Sequence, residues 1–302
     1  MLRGGAAMIN IMYAGNSGVF DGMLISAISL SGSTAQPISI YILTMDLTDK
    51  DPRFTPITEK DGEYIQTVIR EKNPDSRVFV IDMGALYREH LDGSPNAECS
   101  YTPYAMLRLL SDRVDIIPDK ILYLDTDTVV LSDISELYET DITDYEYAAT
   151  RDYFGRFFFG KNYINSGVLL LNMQKIRKTG MLFRAAELCR ARKIFLCDQS
   201  AINASTKKAL YLPFKYNEQK KSKENTVIRH FSMTIKWFPF FHTRNIKPWN
   251  VEGVEKYLFK YDLPRVRPTL DEYINRKEQY KDNRVKEAAY DEQINCAGVF
   301  LN

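Results

Sequence analysis

Short apolar runs set apart by helix-period segments constrain this chain more than any other feature. INIMYAG (9–15), which ends in the turn residues Gly15-Asn16-Ser17-Gly18, ISIYILTM (38–45) and SRVFVIDM (76–83) each read as a strand. Between the first two, VFDGMLISAISLSG repeats apolar residues at helical spacing after the polar loop Gly15-Asn16-Ser17-Gly18, and residues 56–71 suit a second helix. YTPYAMLRLLSDRV (101–114) reads as a helix starting after Pro103. Pro118-Asp119 then turns the chain into the strand KILYLD. YAATRD and INSGVLLLNM are further strands, and QKIRKTGMLFRAAELCRARK is one or two helices. DQSAINAST opens a helix with Asp198 near its N-terminus. Strands alternating with helices imply an α/β fold with a mostly parallel sheet covered on both faces.

The 302 residues suffice for one large core, and there is no internal repeat. Forty Lys and Arg against 39 Asp and Glu leave a net charge of +1, so no global field attracts nucleic acid or an anionic membrane. Any anion site must be local. No run approaches the ~18 apolar residues of a membrane span. The four cysteines, Cys99, Cys189, Cys197 and Cys296, form no CxxC and suit reduced thiols. Residues 1–7 read as a disordered leader, with no long apolar segment to direct secretion. The sequence therefore implies a cytoplasmic protein. Beyond about residue 260, EYINRKEQYKDNRVKEAAYDEQ is charged on most faces and reads as a solvated helical tail (261–302) with weak peripheral attraction to a membrane and a capacity for homodimerisation.

Ligands of open α/β sheets bind beyond the carboxyl ends of the strands. Asn16, Asp125, Asp127 and Asn165 lie at strand ends or starts. In ILYLDTDTVV (121–130), an extended segment would put Asp125 and Asp127 on one side. Two carboxylates facing one point repel unless a cation or proton lies between them. A hard divalent ion under a nucleotide diphosphate satisfies that need. The same letters also fit an aspartyl nucleophile with an acid/base partner. LDTDTVV resembles the motif of the haloacid-dehalogenase-like phosphatases, in which Asp125 would be the nucleophile. However, that family opens on this strand, whereas here three strand-like runs precede it and no G-D-x-x-x-D follows.

A second resemblance covers residues 9–250. IMYAGNSGVF, YAMLRLL, DKILYLDTDTVVLSDISELY, YINSGVLLLNMQKIR, LCDQSAIN, and IRHFSMTIK with IKPWN together resemble, in order, the blocks of glycosyltransferase family 8. That family includes glycogenin-like enzymes and bacterial lipopolysaccharide galactosyl- and glucosyltransferases. The resemblance implies a GT-A nucleotide-diphospho-sugar transferase fold over residues 8–260. It also implies retaining transfer of glucose or galactose from a UDP-sugar to a hydroxyl of a saccharide or glycolipid acceptor, in lipopolysaccharide or polysaccharide synthesis at the inner face of a membrane.

Carried over by position, Asp125, Asp127 and His230 would bind Mn²⁺, with Mg²⁺ as the alternative. Ala14, Asn16, Arg108 and Thr126 would bind the donor nucleotide, with Phe20 the aromatic candidate for the base. Asn165, Asp198 and Gln199 would line the sugar pocket, with the Gln199 amide oxygen facing the anomeric carbon. The lysine that neutralises the leaving diphosphate is Lys236 by spacing or Lys247 by its Lys-Pro-Trp context. Between them WFPFFHTRNI reads as an aromatic insertion that brings His242 near. A sugar-nucleotide-binding module without catalysis stays open beside the transferase.

Overall fold

A computed structural model describes residues 8–97, 103–236, 242–258 and 262–298. The leader over 1–7 lies outside these, as do Cys99, residues 237–241 of the insertion, and the side chains of Lys236, His242 and Cys296. The strands are β1 Ile9–Ala14, β2 Ile38–Thr44, β3 Arg77–Asp82, β4 Lys120–Leu124, β5 Thr128–Val130, β6 Tyr147–Arg151, β7 Ile164–Asn172, β8 Ala209–Leu212, β9 Ile228–His230, β10 Thr234–Lys236 and β11 His242–Arg244. The helices are α1 Phe20–Ser33, α2 Glu59–Arg70, α3 Gly84–His90, α4 Ser135–Glu139, α5 Gly155–Phe158, α6 Met173–Thr179, α7 Met181–Ala191, α8 Cys197–Ser205, α9 Val251–Tyr257 and α10 Leu263–Gly298.

Seven strands form one mixed sheet in the order β3-β2-β1-β4-β7-β6-β8. The β1–β2, β2–β3, β1–β4 and β6–β8 pairs are parallel, and β7 runs antiparallel to both β4 and β6. Two apolar layers cover its faces. One joins α1, α2 and α10 to the sheet through Leu24, Ile28, Ile65, Ile69 and Leu270; the other packs Leu107, Leu110, Leu182 and Ile202 on the opposite face. The α/β expectation holds, including its mostly parallel pairing.

Local signals place the helix ends. Thr58 and Asp61 close a capping box at the start of α2, worth about 1 kcal/mol. Gly180, at φ 67°, ends α6 and starts α7, which settles the one-or-two-helix segment as two. Residues Pro103–Arg113 wind as a 3₁₀ rather than an α-helix.

The tail requires a correction. It is helical, but the first part of α10 is not solvated: Val266, Leu270 and Tyr273 are fully buried in the core. Burying each such side chain contributes about 1.5–3 kcal/mol. Lys277 extends the contact to Asp21 of α1, and Tyr280 to Asp61 of α2. Among the described residues no helix is long and apolar enough to cross a membrane.

Candidate active site

The Asp-Thr-Asp segment lies just beyond the carboxyl end of β4, and it is not extended. The Thr128 amide and hydroxyl both donate to the Asp125 carbonyl, at 3.1 and 2.8 Å, and close a turn. The carboxylates converge because the turn redirects the chain, not because side chains alternate along a strand. Beyond the turn β5 pairs antiparallel with β9, placing Thr128 opposite His230, and the Phe231 amide donates to the Asp127 carbonyl at 2.9 Å. His230 Nε2 thus lies 3.1 Å from Asp127 Oδ1 and 3.6 Å from Asp125 Oδ2. One ligand atom from each of the three residues falls within 4.8 Å of the others.

Asn217 fixes the imidazole. Its Nδ2 donates to Asn165 Oδ1 at 2.9 Å, which leaves its Oδ1 to accept from His230 Nδ1–H at 3.0 Å. Nε2 then faces the two carboxylates, where it donates a proton to Asp127 when it carries one and is the atom that would offer its lone pair to a metal. Two carboxylates and one imidazole lone pair suit Mn²⁺ or Mg²⁺ and leave other positions for phosphate oxygens. Burial opposes the Asp127 charge, but the His230 ring and the Lys247 ammonium hold its carboxyl well below the ordinary carboxylate range. Gly167 makes the arrangement sterically feasible, since a Cβ there would meet His230 Cε1 at 2.2 Å and Asp125 Oδ2 at 2.8 Å.

Arg108 is a buried site residue and not a surface partner of Asp112, which pairs with Arg113. Its guanidinium contacts Asp198, reaches Asp125 Oδ1 at 3.3 Å and donates to the Ser166 carbonyl at 2.8 Å. Its face lies 4.4 Å from the Tyr123 ring centre, and the Tyr123 hydroxyl donates to Asp125 Oδ1 at 2.8 Å. Among the described residues the buried Arg108 Nε has no hydrogen-bond partner. Such a donor is costly unless a ligand oxygen completes it.

Asp198 does not cap α8, whose N-cap is Leu196; it sits in the first turn, and burial raises its carboxyl against the charge of Arg108. Leu196 and Cys197 precede it at φ 56° and 31°, the only left-handed non-glycine residues described. Strain of this kind persists where the surroundings enforce it, often at functional sites. Gln199 Oε1 accepts from the Ser166 amide at 3.1 Å, and its Nε2 donates to Asp152 Oδ2 at 3.3 Å. The amide oxygen expected to face the anomeric carbon is therefore already held by Ser166. Cys189 and Cys197 are buried with their sulfurs 4.0 Å apart.

The Lys-Pro-Trp segment closes the site. Lys247 Nζ lies 2.5 Å from Asp127 Oδ2, and Trp249 packs where a Cβ on Gly22 would stand, beside the Thr126 carbonyl. The described ends of the insertion, β10 and β11, pair only with each other. Ala14 and Asn16 are buried at the end of β1, with Asn16 Nδ2 donating to the Arg53 carbonyl at 3.3 Å. Phe20 is turned away: it is buried with its ring centre 4.7 Å from that of Tyr280, so it is not placed to stack on a base.

Two residues here escaped the sequence reading. Asp152 follows β6, just as Asp125 follows β4, and the strand-end rule would have flagged it. Its Oδ2 accepts from Asn165 at 2.9 Å as well as from Gln199. Asn217 lies in a loop and carries no local signal.

The Glycosyl transferase family 8 sequence model matches residues 10–253. The chain is 37% identical to "Glycosyltransferase GlyA" of Streptococcus pneumoniae serotype 4 over 124 residues, which are 40% of this chain and 17% of GlyA. It is 26% identical to a "Putative glycosyltransferase" of Haemophilus influenzae over 177 residues, 55% of this chain and 49% of that protein. The chain thus spans less than half of either relative. Among solved structures, the galactosyltransferase LgtC, crystallised with donor and acceptor sugar analogs, superposes with a TM-score of 0.62 at 18% identity, covering 87% of this chain and 96% of LgtC. At that identity the likeness shows the fold, which is the GT-A fold, and no more. The match across most of the sheet and every block around the Asp-Thr-Asp turn leaves no room for the phosphatase reading, and the chain belongs to glycosyl transferase family 8.

Proposed function

We propose that this glycosyltransferase moves a hexosyl group, glucose or galactose, from a UDP-sugar to a hydroxyl of a saccharide or glycolipid, with retention of configuration, in lipopolysaccharide or polysaccharide synthesis. The observation that carries this reading is the convergence of Asp125, Asp127 and His230 from two distant segments, with Lys247 and Arg108 directly beside them. The three ligands would hold a divalent cation, Mn²⁺ by its tolerance of imidazole beside carboxylates, and the ion would supply positive charge to the diphosphate leaving group.

The remaining work falls to the chain. The Lys247 ammonium adds a second positive charge where the diphosphate departs, an electrostatic role at a preorganised site. Arg108, fixed by Asp198, Asp125 and the Ser166 carbonyl, offers its unpartnered Nε to a donor oxygen. Ala14, Asn16 and Thr126 border the nucleotide; Asn165, Asp198 and Gln199 hold the sugar. Asp198 is engaged by Arg108 and Gln199 is a weak nucleophile, so departure and attack on one face of the sugar, with the leaving phosphate taking the acceptor proton, is favoured over a covalent intermediate.

Titrating UDP with and without Mn²⁺ tests the reading. The metal should tighten binding in the native protein and have no effect in Asp127→Asn. A donor screen read by UDP release then identifies the sugar. UDP affinity indifferent to the metal in both proteins would sink the proposal.

A further inference from the structure

Around Asp152 the chain forms a basic, aromatic surface whose lining residues are none of those assigned to the donor above. Arg151, Arg156, Phe157, Lys161 and Asn162 line a cavity of about 580 Å³. Among the described residues none of Arg151, Arg156 and Lys161 has a carboxylate partner in a salt bridge. The Arg156 guanidinium is instead positioned by ring faces, 4.7 Å from the centre of Phe157 and 5.1 Å from that of Tyr153, and its Nε is buried without a hydrogen-bond partner. The Arg151 guanidinium likewise lies 4.3 Å from the Tyr211 ring centre. Three cations without a salt-bridge partner among the described residues, around one concavity in a chain of net charge +1, make a local anion site.

Beside the cavity stands an apolar face. Phe157, Phe158 and Phe195 are 70%, 68% and 72% exposed, and Phe159, next to Phe158 in the chain, has its ring centre 5.7 Å from that of Phe195. Large exposed rings clustered in one short segment and joined through Phe159 to Phe195 are the kind of apolar surface that binds a partner. One carboxylate ties this surface to the chemistry. Asp152 Oδ1 accepts from the Phe154 and Gly155 amides at 3.0 and 2.6 Å, while Oδ2 accepts from Asn165 and Gln199.

An anion receptacle bordered by phenylalanines fits an amphiphile with a charged head better than a neutral sugar or a flat membrane. We propose that this surface is the acceptor subsite for a phosphate-bearing lipid, with the phosphate held by Arg151, Arg156 and Lys161 and the hydrocarbon lying over Phe157, Phe158 and Phe195. The assignment of these residues to the acceptor side rests on the glycosyl-transfer reading above.

The test uses farnesyl monophosphate as probe, measured calorimetrically in EDTA buffer so that the metal site plays no part, with farnesol and inorganic phosphate as comparators. The probe should bind at least about tenfold more tightly than either comparator, and both Arg156→Ala/Lys161→Ala and Phe157→Ser/Phe158→Ser should weaken it about tenfold, roughly 1.4 kcal/mol. Unchanged melting temperatures and retained Mn²⁺-dependent UDP binding verify that these surface variants fold. Asp125→Asn/Asp127→Asn should bind the probe normally even though it loses metal-dependent UDP binding, so failure of the donor reading is distinguishable from failure of this one. Three results would each overturn the proposal: no probe binding; equal binding by inorganic phosphate; or binding that survives both surface variants.

Discussion

Replacing Gly167 by alanine tests the metal centre by adding one methyl group. The new Cβ would stand 2.2 Å from His230 Cε1, 2.7 Å from Nδ1 and 2.8 Å from Asp125 Oδ2. Ordinary carbon contacts lie at about 3.5–4.0 Å, so the ring or the strand must yield by more than an ångström. The ring has little freedom: its side chain is 4% exposed, Asn217 holds Nδ1, and pairing with Thr128 holds the backbone. Overpacking a filled site costs about 1–3 kcal/mol. For chains of about 150–250 residues each kcal/mol lowers Tm by about 2–4 °C, and somewhat less is expected at this length. Displacing Nε2 from the carboxylates should also weaken Mn²⁺ by about 10–100-fold, the range for losing an orienting contact on a ligand.

The assay pairs calorimetric Mn²⁺ titration with thermal unfolding. Gly32→Ala is the control, because nothing lies within 4 Å of its added Cβ on α1 and the change should stabilise the protein by about 0.4–1 kcal/mol. A Gly167→Ala protein that melts and binds Mn²⁺ like the native one would show that His230 does not pack against β7 beside Asp125, and the proposed ligand set would fall with it.

Other expectations follow from the same contacts. Asn217→Leu removes the acceptor for His230 Nδ1–H and should weaken Mn²⁺ about 10–100-fold, whereas Asn217→Asp keeps an acceptor and should lose less, both read by Mn²⁺ titration. Lys247→Met should lower turnover about 100-fold, as loss of one electrostatic donor to a leaving group does, while Lys236→Met should change it by less than about threefold; the reverse order in UDP-release kinetics would assign the role to Lys236. Burial raises the Glu146 carboxyl, but bonds from Thr179, Thr206 and the Lys207 and Lys208 amides outweigh it and leave the group below its ordinary 4.5. Its stabilisation is therefore present above that value and lost as pH falls through the lower, folded one. Urea midpoints from about pH 6 to about pH 3 should drop less steeply in Glu146→Gln, which is less stable at neutrality.

Six of the seven strands of the main sheet were legible because they are short apolar runs separated by helical periodicity, whereas the four-residue β8 was not. The strands that shape the site were not. β5 and β9 have three residues each, too few for a period, and they pair across about a hundred residues of sequence. The Asp-Thr-Asp segment misled for a related reason. Letters in a strand-like run suggest alternation, but the Thr128 hydroxyl competes for the Asp125 carbonyl and makes a turn. In α10 the signal was present and overlooked. Val266, Leu270, Tyr273, Lys277 and Tyr280 recur at helical spacing, the first three buried in the core and the last two on α1 and α2, but the charges between them dilute the stripe.

The site residues divide along the same line. Asp125, Asp127, His230 and Lys247 stood out because their chemistry is scarce in this chain or their motif is short and local. Asp152 and Asn217 are common residue types whose roles exist only after folding, one joining the aromatic surface to Gln199 and the other turning an imidazole. The Lys-Pro-Trp segment falls between these cases. No described strand of the main sheet pairs with β10 or β11, so the segment is held by side chains: Lys247 on Asp127, Trp249 against Gly22, and Ile246 and Trp249 on the core. A segment joined by side chains rather than by a sheet ladder can shift without breaking backbone pairing. Its lysine also sits on a carboxylate that a cation would share. Loading the metal must therefore redistribute the charge on Asp127, and Lys247 is the group with freedom to turn toward an incoming diphosphate.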